Sequence, residues 1–317
     1  MTDASRVPDG TRLYLGDGGL ETTMIFERGL DLPCFASFTL LDRPEGVEAL
    51  RDYYRGYLEI ARRNGVGFTF DTPTWRANPD WGEQLGYSAS RLAEANRRAV
   101  GLAEEMRGAE ESAATPIAVC GTLGPRGDAY APDELMSAGE AERYHAPQIE
   151  TFAAAGVDMI AVYTVTYAEE GVGIARAAAA AGVPAVISFT LETDGRLPSG
   201  ERLEEAVGRV DAESDGFPAY FMINCAHPSH FASVLEDPGE WKRRIGGIRA
   251  NASRRSHQEL DEATELDSGD PAELAGEYLD LKRALPGMRV VGGCCGTDTR
   301  HVAGICERWL ADAGTSS

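Results

Sequence analysis

Eight short apolar runs, separated by helical patterns, set the strongest limit on what this chain can fold into. They lie at 13–15, 68–70, 117–120, 159–162, 185–189, 220–223, 245–250 and 289–291. Each ends in small or polar residues, and helical spacing follows several of them. From Glu45, the residues Val47, Leu50, Tyr54, Tyr57, Leu58 and Ala61 form one apolar helix face that stops at Asn64-Gly65. Further helices are expected at about 140–155, closed by Gly156, at 175–181, closed by Gly182, and at 299–310. Runs that are apolar throughout suit strands buried on both faces. The alternation predicts one α/β domain over 1–317, a single parallel (β/α)8 TIM barrel. A doubly wound open sheet is the alternative and would need a topological switch point. The segment Gly16-Asp17-Gly18-Gly19-Leu20-Glu21 lacks the last glycine of a dinucleotide fingerprint, and there is no P-loop. The polar, acid-rich insertion near 251–273 reads as a long loop over the barrel mouth or as a disordered insertion.

Charge narrows the partners. Asp and Glu number 51 against 30 Lys and Arg, a net charge of −21. Such a surface repels phosphate backbones, so neither nucleic acid nor an anionic membrane is expected as a partner. No stretch approaches the ~18–20 apolar residues of a membrane span. The polar start, 1–10, lacks a signal-peptide pattern, and a cytoplasmic location is expected. A small-molecule ligand fits better, with cations favoured in long-range steering and a homo-oligomer left open.

The six cysteines are Cys34, Cys120, Cys225, Cys294, Cys295 and Cys306. In a barrel, residues just after each strand gather at one mouth, where active sites are built. Cys225 follows the sixth run, and Cys294 and Cys295 follow the eighth. Three thiolates converging there would suit Zn2+ and leave a fourth position open, as in catalytic sites. The glycines at 292, 293 and 296 would let both adjacent side chains turn toward one ion. A strained vicinal disulfide or a pair of inert thiols is the alternative for Cys294-Cys295. Cys34, Cys120 and Cys306 carry no expected metal role. Among the histidines, His227 reads as a loop or helix-entry residue beside Pro228, or as a group supporting the mouth, and His301 as a surface residue or an N-terminal contact of the last helix.

Several segments together resemble the homocysteine S-methyltransferase family. The most specific is Val291-Gly292-Gly293-Cys294-Cys295-Gly296-Thr297. Asn224-Cys225 is similar to the core of the family's Gly-x-Asn-Cys motif, and Asp17-Gly18-Gly19 to its opening. Gly121-Thr122-Leu123-Gly124-Pro125 resembles a Gly-Ser-x-Gly-Pro loop, and Ala250-Asn251-Ala252 a Pro-Asn-Ala segment. The matches keep the family's order from residue 13 to about 305. The resemblance implies a zinc-dependent enzyme that moves a methyl group from an onium or methylated-carrier donor to a thiol, homocysteine or a related one. Cys225, Cys294 and Cys295 would hold the metal. Asp17, Gly18, Thr74, Trp75, Tyr163, Asn224 and Asn251 would line or support the substrate pocket. No catalytic group beyond the activated substrate thiolate is implied.

Two positions depart from the family pattern. Tyr163, in Ala161-Val162-Tyr163-Thr164, stands where a Glu binds the amino group of homocysteine. A phenol brings no charge, and a charge-assisted hydrogen bond is roughly twice as strong as a neutral one. This opens the site to a thiol without an α-amino group, unless Glu21, Glu169 or Glu170 compensates. Pro73 replaces an Asn in Thr72-Pro73-Thr74-Trp75. The aromatic rings of Trp75, Trp81, Tyr87 and Tyr163 could hold an onium methyl through cation–π attraction of about 0.5–2 kcal/mol. A zinc hydrolase and a non-catalytic thiol- or metal-binding barrel are the competing functions.

Overall fold

A computed structural model describes residues 6–129, 135–236 and 238–315. The first five residues of the polar start lie outside this range. Eight parallel strands close into one barrel in sequence order: β1 (Tyr14–Leu15), β2 (Gly67–Asp71), β3 (Ile117–Leu123), β4 (Met159–Val165), β5 (Ala185–Phe189), β6 (Tyr220–Asn224), β7 (Ile245–Ala250) and β8 (Val290–Gly293). Each expected run is a strand, and closure of β8 on β1 excludes the open doubly wound sheet. The helices are α1 (Leu20–Thr22), α2 (Pro44–Asn64), α3 (Pro79–Gln84), α4 (Ala89–Glu110), α5 (Ala138–Ala155), α6 (Ala168–Ala181), α7 (Leu203–Glu213), α8 (Pro228–Phe231), α9 (His257–Asp261), α10 (Pro271–Ala284) and α11 (Thr299–Thr315).

Local chemistry explains the ends. α2 starts with Pro44 in its first turn and stops at Gly65, whose φ of 62° is left-handed. α5 opens with a Ser137–Glu140 capping box and stops at Gly156. α6 starts seven residues before the expected 175 because its first half contains Gly171 and Gly173, which weaken the helix signal. Gly173 is there for packing: a Cβ would lie 2.5 Å from the Ala138 carbonyl oxygen and from Ala141 Cβ on α5.

Two apolar layers result. Tyr14, Met159, Ala161, Tyr163, Val186, Tyr220, Met222 and Val290 form a cluster that includes alternate residues of several strands, the pattern of a filled barrel interior. The larger layer lies between sheet and helices and contains Phe68, Phe70, Phe189, Phe221 and Tyr54. The β4–β5 register shifts between Val162 and Val165. That irregularity falls at Tyr163-Thr164, and Thr164 takes a φ of 67°. Bulges of this kind re-aim side chains next to active sites.

The segment 251–273 has a defined conformation. It carries α9, opened by a Ser256–Glu259 capping box. Ser253 Oγ donates to Asp267 Oδ2 at 2.7 Å, and His301 pairs with the Ser268 carbonyl at 2.9 Å. His301 is therefore buried, and of its two readings the N-terminal contact of the last helix is the one observed. Its ring is consumed by the turn before α11, where Nδ1 accepts from the Asp298 amide at 3.1 Å.

Candidate active site

β6 and β8 flank β7, and the turns after them bring three sulfurs together. One ligand atom each from Cys225, Cys294 and Cys295 lies within 4.8 Å of the others. Cys225 Sγ and Cys295 Sγ are 3.7 Å apart. Cys225 has a φ of 55°, a conformation rare outside glycine. Its carbonyl explains how that backbone is held: it meets Asn251 Nδ2 at 3.0 Å, His257 Nε2 at 2.5 Å and Thr190 Oγ1 at 3.5 Å. His257 Nδ1 is anchored by Glu192 at 3.1 Å. After β8, the Cys294 amide donates to the Ala250 carbonyl at 2.8 Å, and Thr297 caps the Cys294 carbonyl through Oγ1 at 2.7 Å. Of the three glycines expected to relax this turn, only Gly296 is left-handed, with a φ of 78°.

Crowding makes the thiols titrate unequally. Hydrogen bonds from Cys225 and Cys295 push Cys294 well below the usual thiol range, and the same contacts push Cys295 well above it. Three sulfurs crowded this closely form a soft donor set that a dication would hold as thiolates.

A cavity of about 680 Å³, its open mouth included, adjoins the sulfurs. The same cavity is lined by a buried ion network. The Arg249 guanidinium, from the end of β7, pairs with Asp17 after β1 and with Asp71 at the end of β2. Its Nε donates to the Gly293 carbonyl at 3.0 Å. Tyr163 Oη donates to Asp71 Oδ2 at 3.0 Å. Burial pushes Asp71 up to about 6 against the opposing pull of Arg249, and raises Asp17 for the same reason. Burial works against the charge of Arg249, but Asp17 and the other partners hold it protonated.

Asp17, Gly18, Trp75, Tyr163 and Asn224 all line this cavity with the three cysteines. Two expected substrate residues are not among its lining residues. Thr74 is fully buried and its hydroxyl donates to the Thr122 carbonyl at 2.8 Å, so Thr72 and Pro73 line the wall instead. Asn251 holds the Cys225 carbonyl. Asn224 lines the wall, but its amide is committed to the strand ends. Its Oδ1 accepts from the Thr164 amide at 2.8 Å and Ser188 Oγ at 2.6 Å, and its Nδ2 donates to Thr164 Oγ1 at 3.0 Å. Asn224→Ala strands several buried polar groups at once. An expected loss of about 1–3 kcal/mol follows, measured by denaturant unfolding.

Of the aromatic rings considered for an onium cage, only Trp75 and Tyr163 line the cavity. Trp81 stacks under Arg76 at 4.0 Å, and Tyr87 donates to Asp42 at 2.6 Å. His227 caps α8, accepting from the Ser229 amide at 3.2 Å. Burial holds it down to about 4, so it stays neutral near pH 7.

Two charged residues of the cavity, Asp71 and Arg249, are missed by motif reading, whereas Glu21 is the one of the candidate acids Glu21, Glu169 and Glu170 that lines it. A signal for the missed pair is in the sequence. Asp71 and Arg249 are charges inside strands buried on both faces, which demand partners. Glu21 accepts from Ser37 Oγ at 2.7 Å and lines the cavity. Burial raises it to about 7. The folded chain thus holds a proton on Glu21 between about pH 4.5 and 7 that the unfolded chain has lost. Stability falls as pH rises through that window and then levels. Glu21→Gln removes this slope, so thermal melts should show the variant gaining on the parent from pH 5 to pH 8. A gap constant with pH would contradict this.

Comparison with known proteins is consistent with this geometry. The family model described as homocysteine S-methyltransferase matches residues 14–309. A homocysteine S-methyltransferase of Escherichia coli (strain K12) is 26% identical over 325 residues, covering 95% of this chain and 96% of that protein. Crystal structures of the E. coli homocysteine methyltransferase MmuM superpose with a TM-score of 0.73 at 22% identity, for both the oxidized and the metallated form. Each comparison covers 96% of this chain, and 98% and 100% of the respective relative. At that identity the superposition speaks for the fold.

Proposed function

This chain belongs to the homocysteine S-methyltransferase family, and on that footing we propose that it is a zinc-dependent enzyme methylating homocysteine or a related thiol from an onium or methylated-carrier donor. The carrying observation is that Cys225, Cys294 and Cys295 gather within 4.8 Å on the wall of a cavity that also presents an aromatic ring. Their all-sulfur donor set fits Zn2+, for which structural and catalytic sites use such ligands. When bound, zinc would supply the charge that keeps an acceptor thiol deprotonated near neutral pH.

The chain's own residues do the rest by positioning. Asn251 and His257 keep Cys225 turned into the cavity through its carbonyl. Asn224 ties the ends of β4, β5 and β6 together. The indole of Trp75 is pinned by its Nε1 donating to the Tyr163 carbonyl at 3.2 Å and has the Arg76 guanidinium 4.4 Å from its ring centroid, so a donor cation would share this aromatic wall with Arg76. The acceptor sulfur forms a bond to the methyl carbon as the donor's bond to that carbon breaks, and the donor leaves with the electron pair. No proton is removed from carbon, so no general base is required there. Among the described residues, the sulfur cluster includes no histidine or carboxylate of the kind hydrolytic zinc sites favour.

Transfer from S-methylmethionine, S-adenosylmethionine or betaine to homocysteine, followed by mass spectrometry of methyl thioether and demethylated donor, tests the reading. Equal amounts of both products, lost on chelation and restored by zinc, are expected. A metal-free protein that remains active would overturn the metal assignment. Because Asn251 and His257 act through a proposed ligand, Asn251→Ala and His257→Ala should each weaken zinc affinity about 10–100-fold in competition with a chromophoric chelator.

A further inference from the structure

The cavity contains three carboxylates and one guanidinium, and they are not equally engaged. Asp17 and Asp71 share Arg249. Tyr163, at the position from which the family resemblance expects a carboxylate, spends its hydroxyl on Asp71 and meets Arg249 at 3.4 Å. Glu169 is paired with Arg209 at 2.8 Å, and Glu170 with His145 at 2.9 Å, neither lining the cavity. Glu21 differs from all of these. It lines the cavity, its carboxylate has Ser37 Oγ as its hydrogen-bond donor, and among the described residues no cation pairs with it. It also lies near enough to the sulfur cluster for the charge of Cys294 to act on it.

We propose that Glu21 is the specificity-determining carboxylate of this site, receiving the α-ammonium group of an amino-acid thiol in place of the acid missing at Tyr163. This rests on the thiol-methyltransferase reading and deepens it. A half-buried carboxylate without a cation is costly, and a substrate ammonium offsets that cost through a charge-assisted hydrogen bond. Arg249 contributes by pairing with Asp17 and Asp71, which leaves Glu21, among the described residues, as the cavity carboxylate without a cation, and a bound ammonium would favour its ionised form. Ser37 orients it from the segment that also brings Phe35 to the cavity. The ammonium is thereby read from the β1 side of the mouth instead of from β4.

Calorimetric binding of L-homocysteine and of its des-amino analogue 4-mercaptobutyrate to the zinc-loaded chain tests this. The parent should prefer homocysteine, and Glu21→Gln should lower that preference by about tenfold, with Glu21→Asp restoring part of it. An unchanged preference in Glu21→Gln, with homocysteine still bound, overturns the role of Glu21 and leaves the methyltransferase reading standing. Binding of neither thiol by the parent overturns both. A third outcome separates the two possible cations: if Glu21→Gln raises KM for S-methylmethionine while that for homocysteine stays put, the carboxylate serves the donor and the proposal is wrong. Circular dichroism of both variants confirms that each is folded before binding is compared.

Discussion

Cys295→Ser is expected to lose bound zinc and to cut methyl transfer by at least about 100-fold. Outer groups that merely orient metal ligands cost 10–100-fold in metal affinity when removed, so a ligand itself should cost no less. The serine hydroxyl is harder and far less acidic than a thiol, so it cannot replace a soft sulfur donor. Structure should survive: Cys295 is only partly buried and leaves the barrel core untouched. Metal analysis of protein purified without chelator, next to a thermal melt, separates the two effects. Stoichiometric zinc retained in the variant would remove Cys295 from the ligand set.

The second large effect concerns stability. Arg249→Met should destabilise the chain by about 3–5 kcal/mol, because it leaves two buried carboxylates facing each other without a cation. A fall in Tm of roughly 5–15 °C follows for a chain of this size. The deficit should depend on pH in a defined sense. Without Arg249, Asp17 and Asp71 hold protons in the folded chain where the unfolded chain has lost them. Stability then falls as pH rises, and the gap to the parent narrows toward pH 5. Adding Asp71→Asn to Arg249→Met should recover part of the loss. A double-mutant cycle showing simple additivity would mean that the Arg249–Asp71 contact carries no coupling.

Sequence patterning located the strands well because each lies in the interior of a closed barrel, where both faces are dry and apolar residues run consecutively. Helices such as α4, α7 and α10 carry no distinct sequence signal in this reading, since surface helices mix small, charged and apolar residues. The cysteines were legible for a different reason. Their position just after strands β6 and β8 is a topological fact, and barrel closure alone brings the ends of those strands to one mouth. Asn224 was legible as a cavity residue but not as a clamp, because its partners Thr164 and Ser188 lie on two other strands. Thr74 is not among the cavity's lining residues because its hydroxyl turns to the Thr122 carbonyl, which leaves Thr72 and Pro73 at the wall.

By itself, then, the sequence determined the barrel, its strand order and the three sulfurs, since each follows from local periodicity or from position relative to a strand end. The tertiary structure decided which charges meet. Arg249 reaches Asp71 across 178 positions and Asp17 across 232, and no local pattern encodes contacts of that span. Their pairing leaves Glu21 as the cavity acid without a cation among the described residues. Electrostatic balance in a dry cavity is a property of the whole set of side chains brought together, and only the folded barrel assembles that set.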